Sequence, residues 1–409
     1  MTERAVITGL GTMAPNGMNT EEYWAATIAG RSGIGPLERY DATGYPSGLA
    51  GQINDFNAEG RIPGRLLPQT DRVTRLALAA TDEALADAGV APAEFVDYAM
   101  GVVTSNATGG FEFTHTEIQK LWTKGPQHVS VYESFAWFYA VNTGQISIKH
   151  GMRGPSGVIV AEQAGGLDAV GQARRTIRSG TALSVTGGVE SSLDPWGWTC
   201  HQTNGQISRT ADPAQAFRPF DAAASGSVPG EGGAILILEA ENAARERDAP
   251  HIYGEIAGYA ATFDPAPGSA RPPGLARAAR LALADAGVEP GDVDVVFADS
   301  AGVPALDRRE AAAIAEVFGP RGVPVTAPKS LVGRLCAGGG PLDVVTALLA
   351  IRDGLIPPTY HTAVVPADYA IDLVLGAARS AQVRTALVLA RGIRGFNAAV
   401  VVRAVDRVG

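Results

Sequence analysis

The heptapeptide "ALADAGV" occurs twice, at residues 84–90 and 282–288. Each copy ends an apolar-periodic helical stretch at a glycine. Each is followed by a short polar link and a β-rich run, "VDYAMGVVTS" after the first and "VDVVFADSAG" after the second. A second echo keeps the same order: "AGGLDAV" (164–170) matches "GGGPLDVV" (338–345), which sets Leu167 and Asp168 against Leu342 and Asp343. Two echoes in one order imply a duplicated half.

Within each half, short β-rich runs alternate with helical patterns. "RAVITGLG", "YAMGVVTS", "SGVIVAE" and "ALSVTGG" serve the first half, and "DVVFADS", "GVPVTAP", "TALVLAR" and "AAVVVRAV" the second. This alternation predicts an α/β fold with parallel or mixed sheets covered by helices. The stretch "AILILEAENAARERDAP" closes the first half, so the halves are expected to span 1–250 and 251–409. An apolar content of 46% suits a compact core, and the net charge of −9, with no basic run, argues against nucleic acid as a partner. Two cysteines, Cys200 and Cys336, cannot make a disulfide framework and point to a reducing cytoplasm. No signal peptide is read at the N-terminus, and runs such as "ALLAI" fall far short of the roughly 20 residues of a membrane span.

"VIVAEQAGGLDAV", residues 158–170, predicts a strand turning sharply into a helix N-terminus. That frame lowers a thiol pKa, because the helix dipole favours the thiolate. The residue at the turn is Gln163, whose amide can neither ionise nor attack. Elsewhere, "GLGTMAPNG" imitates a dinucleotide fingerprint, but Pro15 interrupts the helix that should follow. Cys336 lies beside a Gly-rich turn with no His near it in sequence, so a replacement nucleophile is not read there. The six histidines show no metal spacing, and no metal site is expected.

"GGFEFTHTEIQKLW" (109–122) predicts a helix entered through two glycines, with Phe111, Thr114, Ile118 and Trp122 on one face. By periodicity alone such a face is core. "YESFAWFY" (132–139), with Tyr132, Phe135, Trp137 and Phe138, marks either a core or an interface.

"AVITGLGTMAPNG", "GQISIKHGMRGPS", "AFRPFDAAASGSVPGEGGAILILE" and "GFNAAVVV" resemble landmarks of the β-ketoacyl synthases, from residue 5 to about 402. "VAEQAGGLDA", "SVYESFAWFYAVNTGQISI", "LDPWGW" and "GRLCAGGGPLDVVTAL" resemble one branch more closely, the chain length factors of bacterial type II polyketide synthases. The resemblance implies a thiolase-like fold, two similar halves in a layered αβαβα architecture. It also implies a Cys-His-His set at positions that can be checked here. The Cys position holds Gln163. "DSAGVPALDRRE", placed by Gly302, Pro304, Asp307 and Glu310, puts Asp299 at the first His, and "KSLVGR" puts Arg334 at the second, with Lys329 and Gly333 retained.

Condensation needs a thiolate and two imidazoles, which an amide, a carboxylate and a guanidinium do not replace. The resemblance therefore implies a non-condensing subunit that pairs with a catalytic ketosynthase as a heterodimer and sets polyketide chain length. The growing chain would ride on the phosphopantetheine arm of an acyl carrier protein, with no cofactor bound directly and no membrane involved. The resemblance makes Phe111, Thr114 and Ile118, with Trp196 and Gly197 nearby, lining of a chain-length tunnel, and makes the aromatics of 132–139 interface. One alternative stays open: Gln163 could polarise a malonyl thioester and make the protein a malonyl-carrier decarboxylase that generates an acetyl starter. Opposite charges at Asp299 and Arg334 predict a direct or water-bridged ion pair, within about 6 Å, in the former catalytic cavity.

Overall fold

A computed structural model describes residues 3–266 and 268–405. The first half supplies strands β1 (Ala5–Met13), β2 (Met100–Ser105), β3 (Ser156–Ile159), β4 (Leu183–Glu190) and β5 (Gly232–Ala240). Its main helices are α1 (Arg72–Asp87), α2 (Phe111–Lys124), α3 (Val141–His150), α4 (Gly165–Arg178) and α5 (Pro195–Thr203). The second half supplies β6 (Gly254–Phe263), β7 (Val295–Phe297), β8 (Pro324–Thr326), β9 (Asp372–Leu373), β10 (Thr385–Arg391) and β11 (Phe396–Arg403). Its main helices are α6 (Leu275–Ala286), α7 (Pro304–Phe318) and α8 (Gly339–Asp353).

These strands join in the order β9-β8-β7-β10-β11-β6-β1-β5-β4-β2-β3. Read outward from the centre, β1 meets β5 and β5 meets β4 antiparallel, then β4–β2 and β2–β3 run parallel. On the other side β6 meets β11 and β11 meets β10 antiparallel, then β10–β7 and β7–β8 run parallel. The two halves thus share order and direction, as the echoed heptapeptides predict. The copies of "ALADAGV" end α1 and α6, the helices that follow β1 and β6, and Gly89 and Gly287 take left-handed φ values of 61° and 63° where the chain leaves each helix. The halves meet where Val6 faces Glu255 and Ile7 faces Gly254.

Helices α4 and α8 form the middle layer. Leu167, Val170 and Ile177 of α4 and nearly every residue of α8 from Gly339 to Ala350 are buried, and a helix apolar all round belongs in an interior. Their core joins Ile7, Leu236, Val400 and Val402 from both sets of strands. Outer helices cover the other faces, α1 and α3 over the first half and α6 and α7 over the second. The layers are α, β, α, β, α. Strand β6 has no counterpart in the sequence reading: "GEIAGYAATF" is rich in Gly and Ala and offers few of the β-branched residues that signal a strand. Among the described residues no helix is long and apolar enough to cross a membrane.

Candidate functional site

Strand β3 ends at Ile159 and a single tight turn, Glu162–Ala164, leads into α4 at Gly165. Glu162 takes a left-handed φ of 52°, which makes the turn abrupt. Gln163 occupies that elbow, 8% exposed. Cys336 occupies the matching turn before α8, also left-handed at φ 50°. With its amide oriented to satisfy both partners, Gln163 donates to Cys336 O at 3.1 Å and accepts from Cys336 N at 3.2 Å. The two elbows are therefore bonded to each other.

The Cys336 thiol is no replacement nucleophile. Burial first, and then the neighbouring Glu162 and Glu190 carboxylates, push its pKa well above the ordinary thiol value, and the thiolate is the reactive form. Glu162 is itself raised by burial, and its Oε2 accepts from Ile393 N at 2.7 Å.

Asp299 and Arg334 meet directly. Arg334 Nη1 lies 3.1 Å from Asp299 Oδ2 and Nη2 lies 3.2 Å from Oδ1. Nη1 also donates to the Asp299 carbonyl at 3.1 Å, and Arg391 N donates to Asp299 Oδ1 at 3.0 Å. Burial opposes ionisation of Asp299, but the Arg334, Lys329 and Arg391 charges outweigh it and hold the carboxyl below its ordinary range. The carboxylates behind this pair shape its loop. Glu310 accepts from Asp299 N at 2.6 Å and Ser300 N at 2.8 Å, and burial lifts its pKa to about 7. Asp307 accepts from Phe220 N at 2.8 Å and Gly302 N at 3.0 Å. Lys329 is spent on Asp343, 2.5 Å away, and on Ala298 O at 2.7 Å.

Gln163, Asp299 and Arg334 all line one cavity of about 840 Å³, which Phe111 and Gly197 also line. Phe111 stacks on Trp196 there, with ring centroids 5.0 Å apart and planes 12° apart. Beyond the stack lies a separate groove of about 320 Å³ lined by His115, Ile118, Pro195 and Trp196. Thr114 lines neither space. The face that periodicity alone would make core is largely open: Ile118 is 37% and Trp122 81% exposed. The reason is that α2 packs on α5 and on the turns beside it, with no layer above its outer side. In the aromatic segment, Tyr132 and Phe135 are half-buried while Trp137 and Phe138 are exposed.

The sequence reading missed His201, which also lines the cavity. Its Nε2 lies 2.9 Å from Ser192 Oγ, and burial drops its pKa to about 4, so it is neutral. No motif surrounds it that could have drawn notice. Among the described residues no group of three or more His, Cys, Asp or Glu side chains could hold a metal ion.

The family model for the β-ketoacyl synthase N-terminal domain matches residues 2–244, and that for the C-terminal domain matches 253–363. The actinorhodin polyketide β-ketoacyl synthase 2 of Streptomyces coelicolor is 64% identical over 97% of this chain and 98% of its own length. The ketoacyl synthase beta subunit of the tetracenomycin polyketide synthase of Streptomyces glaucescens is 59% identical over 97% and 98%. The solved ishigamide ketosynthase/chain length factor superposes with a TM-score of 0.92 at 29% identity, covering 99% of this chain and 100% of that one. A chain from the solved complex of a type II polyketide synthase acyl-carrier protein with its ketosynthase bound to the hexaketide gives a TM-score of 0.88 at 28% identity, covering 99% of this chain and 100% of that one. With its fold, its elbow and its full-length relatives in agreement, the chain belongs to the β-ketoacyl synthase family, in the branch of polyketide ketosynthase beta subunits.

Proposed function

We propose that this chain is the non-condensing partner of a catalytic ketosynthase in aromatic, type II polyketide assembly, and that it sets the length of the poly-β-ketone. The observation that carries this reading is that the residues at the vestigial catalytic positions are already engaged in bonds of their own. Gln163 is bonded to the Cys336 backbone, and Arg334 is bonded to Asp299. Neither pair supplies a nucleophile or a free imidazole, so condensation falls to the partner subunit. The two halves divide near residue 250. Phe111, Ile118, Trp196 and Gly197 border the tunnel, Thr114 lies on the same helix without lining either space, and the exposed Trp137 and Phe138, with Tyr132 and Phe135 behind them, meet the partner. The chain being built is delivered on the phosphopantetheine of an acyl carrier protein, in the cytoplasm. A closed tunnel keeps water and premature cyclisation away from the reactive ketones.

Malonyl-carrier decarboxylation through Gln163 requires a free amide to polarise the thioester carbonyl. The two bonds to Cys336 stand against it. The deciding experiment supplies malonyl-loaded carrier protein to this chain alone, to the cognate ketosynthase alone and to the pair. Polyketide of defined length from the pair only is the expected result. Condensation by this chain alone overturns the proposal.

A further inference from the structure

Helix α2 begins at Gly110, which has no side chain to cap it, although the first N–H groups of any helix lack intrahelical partners. The cap comes from elsewhere in the chain. Asp71, 2% exposed, accepts from Val73 N at 2.8 Å through Oδ1 and from Phe113 N at 2.7 Å through Oδ2. One carboxylate therefore caps α1 and α2 together.

Packing does little to locate α2, because Glu117 is its single fully buried residue. Polar tethers do the locating. Arg39 Nη1 donates to Glu112 Oε2 at 3.2 Å, and its Nη2 is paired with the buried Glu231. His115 Nδ1 lies 3.4 Å from Asp194 Oδ2, and Asp194 accepts from Trp196 N at 2.9 Å at the start of α5. Asp71 holds the residue between Glu112 and Thr114, two positions beyond Phe111. Its bond thus fixes how far Phe111 reaches over Trp196 in the stack that separates the cavity from the outer groove.

We infer that Asp71 is a positioning residue for chain-length control, holding the N-terminus of α2 so that the Phe111–Trp196 stack closes at one depth. This rests on the reading of α2 as a tunnel wall.

Asp71→Ser tests it. Serine is a good cap for its own helix, so α1 keeps its N-cap. Its single short hydroxyl cannot also hold Phe113 N. The variant is reconstituted with the cognate ketosynthase and carrier protein beside wild type and Phe111→Ala, and both product lengths and Tm are measured. The expected result is a near-unchanged Tm with a product one ketide unit away rising about fivefold, the scale of one lost hydrogen bond. Unchanged lengths with Asp71→Ser, whether or not Tm falls, overturn the inference if Phe111→Ala shifts them, and leave the tunnel reading standing. If neither variant shifts product length, the inference and the tunnel reading fail together. Should Asp71→Ser not yield a soluble complex, Asp71→Asn, which keeps the side-chain shape and one acceptor, decides by the same measurements.

Discussion

Arg334 grips Asp299 through two parallel hydrogen bonds, Nη1 to Oδ2 at 3.1 Å and Nη2 to Oδ1 at 3.2 Å. The carboxylate side chain is 4% exposed and the guanidinium 14%. Desolvation of such a pair is offset only when the geometry is good and the remaining atoms are bonded. Here Arg391 N and the Asp299 carbonyl complete the set. Arg334→Met leaves a buried carboxylate without its partner and is expected to cost about 3–5 kcal/mol of stability. Adding Asp299→Asn should recover part of that loss. Denaturant unfolding of the two single variants and the double variant measures the coupling, and simple additivity would mean that the pair contributes none.

Gln163→Ala removes both bonds to Cys336 and leaves that residue's N–H without the partner Gln163 gives it, while the Cys336 carbonyl keeps the Gly339 N–H. A loss of about 1–3 kcal/mol is expected, with the acetyl-primed product of the reconstituted pair unchanged. If priming disappears and added acetyl-loaded carrier restores it, the decarboxylase reading is correct instead.

The legible parts of this molecule were those written locally or twice. The repeated heptapeptide marked equivalent helices, and the strand–turn–helix frame around Gln163 was visible in its apolar run; the Asp299–Arg334 pair was expected only because the family resemblance sets both residues at the catalytic histidine positions. What could not be read was contact between segments distant in sequence. The Gln163–Cys336 bond joins the two elbows across the halves. Asp71 caps a helix that starts 40 residues later, and nothing in "LLPQTDRV" distinguishes that role from an ordinary N-cap. The exposure of Trp122 was hidden for the opposite reason. Helical period shows which residues share a face, and tertiary neighbours decide whether that face is covered.

Phe111→Ala opens the wall between the large cavity and the outer groove, and the reconstituted pair should then release longer polyketides. Ile118→Phe adds bulk to the groove beside Trp196 and should shorten them. Mass spectrometry of the products reads both. Identical products from the two variants and wild type would remove these residues from length control.

Glu190, fully buried, accepts from Thr108 Oγ1 at 2.6 Å and from Ala107 N. Burial raises its pKa from 4.5 to about 7 despite those bonds. The folded state then holds this proton more tightly than the unfolded chain. Its stabilisation is complete below about pH 4.5 and is lost as pH rises through about 7. Glu190→Gln should flatten the dependence of stability on pH across that window by up to about 1.4 kcal/mol per pH unit. A slope identical to wild type would show that Glu190 does not titrate there.

Helices α4 and α8 lie so close that a Cβ added at Gly166 would sit 2.3 Å from Pro341 Cδ. Tyr253 N, at the start of the second half, donates to Ile7 O at 2.9 Å in the first strand of the chain. Each half keeps an apolar cluster under its outer helices, but the shared middle layer draws on both halves and joins them. Heating should give one calorimetric peak instead of two, and a protease cut near residue 250 should leave both fragments bound as a single particle.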